Sequence, residues 1–209
     1  MYTYQHHKIY RIGPFKTSEI ELQDLFKAWI AISVAFAIVI GSSTSFQTFF
    51  SVQFLYNFLL AAFTVGIGFL FHELGHKLVA QRYGCFAEFR AWDTMLLLAI
   101  VMSFLGFVFA APGAVMISGH VDRVRNGRIS IAGPGVNIVL ALIFLGLILA
   151  LGNTTFFYYG LLINAWLGLF NMIPFGNLDG KKVLLWNKAA YALVVIAAAI
   201  LLFGINLIV

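Results

Sequence analysis

The feature that most limits what this chain can fold into is a series of long apolar runs broken by few charges. Residues 25–41, 54–79, 133–151, 158–175 and 189–209 are each close to the roughly 20 residues that a helix needs to cross the hydrocarbon layer. A sixth run, residues 94–117, is as long but carries Gly106, Pro112 and Gly113. Across all 209 residues 62% are hydrophobic and 10% charged, too few polar groups to cover the surface of a soluble globule. The expected fold is an all-α polytopic membrane protein with five to six transmembrane helices, a re-entrant or hairpin segment and a small surface β-sheet. We read residues 1–209 as one membrane-embedded domain, with 1–24 as a cytoplasmic N-terminal segment and 54–180 as its core. Glu19, Glu21 and Asp24 before the first run argue against a cleaved signal peptide.

The formal net charge is +5, an excess that in this class sets topology and does not point to nucleic acid. All 13 basic residues fall in four segments. They are Lys8, Arg11, Lys16 and Lys27; Lys77, Arg82 and Arg90; Arg123, Arg125 and Arg128; and Lys181, Lys182 and Lys188. The connections 42–53 and 152–157 carry no charge. The positive-inside rule puts the basic segments in the cytoplasm and the neutral connections outside. Run 94–117 lies between two basic segments, so it enters and leaves on one side, and Pro112 fits a break within it. Arg128–Ile131 alternates like a strand, with Ala114–Ser118 as its expected partner and Asn126-Gly127 as the turn.

Within the second run stands His72-Glu73-Leu74-Gly75-His76, an H-E-x-x-H. On a helix, four residues at about 100° each return His76 to the face of His72, ~6 Å along the axis. Two imidazoles so placed can hold one Zn²⁺, and Glu73 beside them can take a proton from water. Ionisable side chains inside an apolar span are costly and mark function. A catalytic zinc site keeps three protein ligands and one open position. Of the eight acids, only Asp179 sits in a Gly- and Pro-interrupted segment directly after a span. The second and fourth runs both head inward, to Arg82 and Lys181, so both motifs lie towards the cytoplasmic end. A full crossing by 94–117 would put Asp179 on the opposite side from the histidines. Charge pattern and metal motif therefore support one topology.

Three motifs in order, His72–His76, Gly133-Pro-Gly-Val-Asn137 and Asn171-Met-Ile-Pro174 with Leu178-Asp179-Gly180, resemble the site-2 protease family of intramembrane zinc metalloproteases (peptidase family M50). The resemblance implies one Zn²⁺ per chain bound by His72, His76 and Asp179, with Glu73 as catalytic base. It implies that the substrate is a transmembrane-helix protein cut within or near the bilayer of the cell membrane. Asn171, in the family's Asn-x-x-Pro pattern, is implied to contact the substrate or the oxyanion, whereas Asn137 is read as packing helices. Asn177 stands where many members have Pro, and Lys181 where another Gly is frequent; neither is a ligand. His6, His7 and His120 are read as surface or loop residues and Cys85 as an inert thiol. The rival functions are a divalent-metal transporter, or a proteolytically silent binder of membrane clients. Polar groups clustered towards one side disfavour the first, and an intact Glu73 disfavours the second. Oligomeric state is not legible.

Overall fold

The structure, a computed structural model, describes residues 8–13, 15–41, 51–108 and 112–205. His6, His7 and most of the charge-free connection 42–53 lie outside these residues.

The chain opens with an antiparallel hairpin of β1 (Ile9–Ile12) and β2 (Phe15–Ser18), in which Arg11 faces Lys16. Helix α1 (Glu19–Gly41) follows at once. It starts before the apolar run because the Ser18 hydroxyl accepts the Glu21 N–H at 3.2 Å and two glutamates occupy its first turn. Next, α2 (Val52–Ala61) is capped by Ser51, whose hydroxyl accepts the Phe54 N–H. It continues through one π-helical turn, Ala62–Gly66, into α3 (Ile67–Arg82). The Ala62 carbonyl of this widened turn accepts the Ile67 N–H and also the Trp29 indole N–H, the latter at 3.0 Å.

Strand β3 (Phe86–Ala91) leads into the run 94–117 expected to be re-entrant, which forms helix α4 (Asp93–Ser103) and strand β4 (Gly113–Ser118). β3 and β4 pair antiparallel from Phe86↔Ser118 to Ala91↔Gly113, and the Trp92 N–H donates to the Pro112 carbonyl at 3.0 Å. Run 94–117 thus returns to the place it left, as a hairpin. The 11 residues of α4 reach ~16 Å, about half the hydrocarbon thickness.

This pairing corrects one expectation. Ala114–Ser118 is a strand, but its partner is Phe86–Ala91, and Arg128–Ile131 is helical, inside α5 (Arg123–Leu151). Asp122 caps α5 by accepting the Arg125 N–H at 2.7 Å, which commits the following residues to helix. Gly127 is no turn: its bare Cα faces the Trp186 ring, which lets the end of α7 pack against α5. Pro134 sits inside this helix.

Helix α6 (Thr155–Asn171), α7 (Asp179–Trp186) and α8 (Lys188–Gly204) complete the chain. Three stretches are long and apolar enough to cross a membrane: Glu19–Gly41, Val52–Arg82 and Arg123–Leu151. Helices α6 and α8 have 17 residues each. With this apolar surface the protein is a membrane protein. One buried cluster joins α1, α3, β3, α4 and α6 through Ala28, Phe69, Phe89, Leu96 and Ile163. A second, of Met172, Val183 and Val194, seats α7 against its neighbours.

Candidate metal centre

Helix α3 delivers His72 and His76 one turn apart on its buried side, and the first residue of α7 brings Asp179 to them. All three are buried. The His72 and His76 Nε2 atoms are 3.0 Å apart; Asp179 Oδ2 lies 3.4 Å from the first and 3.0 Å from the second. Donor atoms about 2.0–2.1 Å from a zinc ion at tetrahedral angles would be ~3.3 Å apart. The triangle therefore matches one face of a tetrahedron and leaves the fourth corner open.

The hydrogen bonds behind the rings fix their chemistry. His72 Nδ1 is 2.6 Å from Asn137 Oδ1, and His76 Nδ1 is 2.8 Å from the Ile129 carbonyl. Asn137 Nδ2 donates to the Gly68 carbonyl and to Asn164 Oδ1, both at 3.1 Å, so Asn137 Oδ1 is left as an acceptor. Both Nδ1 atoms are then protonated, and in the neutral rings both Nε2 atoms present lone pairs. Two imidazole lone pairs and a carboxylate oxygen converge with no donor among them, which is a site for a cation. Neutral imidazole with its remote N–H on a carbonyl is the ligand form that zinc requires.

Small residues make room for this. A Cβ on Gly133 would lie 2.6 Å from His72 Nε2 and overlap His76 Nε2. A Cβ on Gly180 would overlap the Met172 backbone, so Asp179 reaches the histidines only because Gly180 lets α7 approach the end of α6. Asp179 Oδ1, facing away from the histidine contact, lies 3.6 Å from Lys182 Nζ.

The expected ligands His72, His76 and Asp179 thus meet, and Glu73, buried in the same turn, stands between the histidines in sequence. Asn171 ends α6, where its side-chain amide donates to the Leu167 carbonyl at 2.9 Å. Asn137 has a larger part than helix packing, because it orients His72. Asn164 and the backbone carbonyl of Ile129 were not anticipated. A buried Asn in the apolar run 158–175 is the one signal that could have exposed the first, and a backbone carbonyl leaves none. His120 is exposed, and Cys85 is buried as a free thiol.

A Methanocaldococcus jannaschii protein named as a candidate zinc metalloprotease, MJ0611, is 37% identical over 186 residues, covering 86% of this chain and 91% of its own length. The chain belongs to this zinc metalloprotease family. The zinc metalloprotease MJ0392 of the same organism is 27% identical over 79% of the chain. Rip2 of Mycolicibacterium smegmatis, also named as a candidate zinc metalloprotease, is 31% identical over 54% of the chain. The chain spans 41% and 51% of these last two relatives. No protein-family model matches the chain, and no solved structure matches it. Zinc is the metal that the donor set and the relatives both indicate.

Proposed function

We propose that this protein is an intramembrane endopeptidase of the site-2 type, a multi-pass protein of the cell membrane with its active site towards the cytoplasm. The observation that carries the reading is the convergence of three buried acceptor atoms, two from the apolar helix α3 and one from the start of α7, beside the carboxylate of Glu73. Zinc, when bound, supplies the polarisation of a scissile carbonyl and the acidity of a water molecule. His72, His76 and Asp179 hold the ion. Glu73 takes a proton from the attacking water and passes it to the leaving amine. Asn171 is the proposed contact to the substrate carbonyl, and Asn171→Ala should lower turnover without loss of zinc.

Five crossings are proposed, with α6 and α8 joining the three longer helices. The four basic segments support one cytoplasmic end, since contacts join them. Gln81 binds the Lys16 backbone in both directions at 2.8 and 3.1 Å, Arg125 lies over the Tyr83 ring, and Arg123 donates to the Leu185 carbonyl. The outward side chains of α4, among them Leu97, Leu98 and Val101, suit a hairpin dipping into lipid.

The substrate is a transmembrane-helix protein, and its helix must become extended before the backbone can reach the site. Strand β4 is suited to hold it. The outer edge of β3 is occupied by Gln81 on the Ala87 carbonyl, Glu21 on the Phe89 N–H and Asp24 on the Ala91 N–H. The bonds to β4 therefore come from Phe86, Glu88 and Arg90, and β4 turns Gly113, Val115 and Ile117 outward. Among the described residues no hydrogen bond reaches that edge, which is open to strand addition. Neither metal transport nor client binding without cleavage has an observation in its favour.

The test is cleavage of a panel of single-span substrates in proteoliposomes. The wild type should cut at least one, and Glu73→Gln and chelated protein should cut none. Cleavage that survives Glu73→Gln would overturn the assignment.

A further inference from the structure

One buried pair lies outside the metal chemistry and ties the helix that carries the two histidines to strand β3. Glu21, in the first turn of α1, is 0% exposed, and Lys77, the residue after His76, is 1% exposed. They form an ion pair. Glu21 Oε2 also accepts the Thr17 hydroxyl at 2.8 Å, and Oε1 accepts the Phe89 backbone N–H at 2.9 Å. Lys77 Nζ lies 4.3 Å from the centre of the Phe15 ring.

Stability alone does not explain such a pair. Removing both charges from water costs several kcal/mol each, and well-packed apolar side chains of the same volume often hold as firmly. What an apolar pair lacks is direction. Here one carboxylate oxygen grips the metal helix one residue beyond a ligand, and the other grips the middle of β3. Phe89 faces Val115 on β4, and Val115 turns its backbone to the open edge. A short path thus runs from His76 through Lys77 and Glu21 to Phe89, and through its neighbours Glu88 and Arg90, which bond to β4, to the strand that would carry the substrate.

We infer that Glu21 and Lys77 are positioning residues that fix the register between the β4 edge and the metal, and so decide which peptide bond is cut. The inference rests on the proteolytic reading above. Neither residue touches substrate or metal. Loosening the pair lets the strand shift against the metal without disturbing the ligands, and a misplacement of about 1 Å can cost on the order of a hundredfold in rate.

The experiment compares wild type, Glu21→Gln, Lys77→Met and Lys77→Arg in proteoliposomes with a substrate that the wild type cleaves. It measures zinc per chain, kcat, KM and the masses of the products. Glu21→Gln and Lys77→Met should keep their zinc and a similar KM, lose on the order of ten- to a hundredfold in kcat, and yield products cut at several neighbouring bonds. Lys77→Arg should restore the single cut. One unchanged cleavage site with unchanged kcat in Glu21→Gln and Lys77→Met would overturn the inference and leave the proteolytic reading standing. So would loss of zinc in step with activity in both, since that marks a merely structural pair. If the wild type cleaves no substrate, the proteolytic reading fails and the inference falls with it.

Discussion

Gly133→Ala should disable metal binding while leaving the fold intact. The new methyl would sit 2.6 Å from His72 Nε2 and 2.6 Å from His76 Cε1, where ordinary contact begins at 3.4 Å. The difference, 3.4 minus 2.6, means that each ring must retreat by about 0.8 Å, several times the roughly 0.2 Å tolerance of metal–ligand distances. The rings cannot swing freely, because Asn137 and the Ile129 carbonyl hold their Nδ1 atoms. Zinc affinity should fall by at least the ten- to hundredfold typical of lost outer-shell support. Competition with a chromophoric chelator in detergent measures this directly. Gly135→Ala is the internal control, since a Cβ there meets nothing within 4 Å and alanine is the better helix former by about 1 kcal/mol. It should bind zinc as the wild type does and melt no lower. Wild-type zinc affinity in Gly133→Ala would refute the geometry of the site.

Further expectations follow from the surrounding shell. Asn137→Leu removes the acceptor on His72 Nδ1 and should weaken zinc binding on the order of ten- to a hundredfold, read by the same competition. Gly180→Ala forces α7 away from the Met172 backbone and should release zinc by withdrawing Asp179, with helix content by circular dichroism unchanged. Asp122 accepts the Arg125 N–H at the start of α5, and that bond holds its carboxyl below the ordinary carboxylate range. A depressed folded-state pKa contributes stability that is present above the unfolded value and lost as pH falls through the folded one. The melting temperatures of wild type and Asp122→Ala should therefore differ at neutral pH and converge in acid.

Much of this was legible in the chain, and the rest fails for identifiable reasons. The two histidines were readable because helical spacing places them on one face whatever surrounds them. Asp179 followed because it alone among the eight acids sits in a Gly- and Pro-interrupted segment directly after a span, and the hairpin at 94–117 followed because basic residues flank it on both sides. The partner of Ala114–Ser118 was misread because alternation in Arg128–Ile131 is a two-residue pattern over four positions, which a helix buried on one side also yields. The cap at Asp122 decided it, and capping acts from outside the segment it commits. Asn137 was seen, but its aim at His72 depends on how α5 rotates against α3. Glu21 and Lys77 are 56 residues apart, and in the sequence they stand only as a charge before the first run and a member of the second basic segment. Only the packing of α1 against α3 removes both from water.

The central claim is a three-ligand zinc site with a free general base, and metal content tests it most directly. Mass spectrometry of purified wild type, Glu73→Gln and Asp179→Asn should give about one zinc per chain in the first two and a clear loss in the third. An absence of zinc from the wild type, or full retention by Asp179→Asn, would contradict the account.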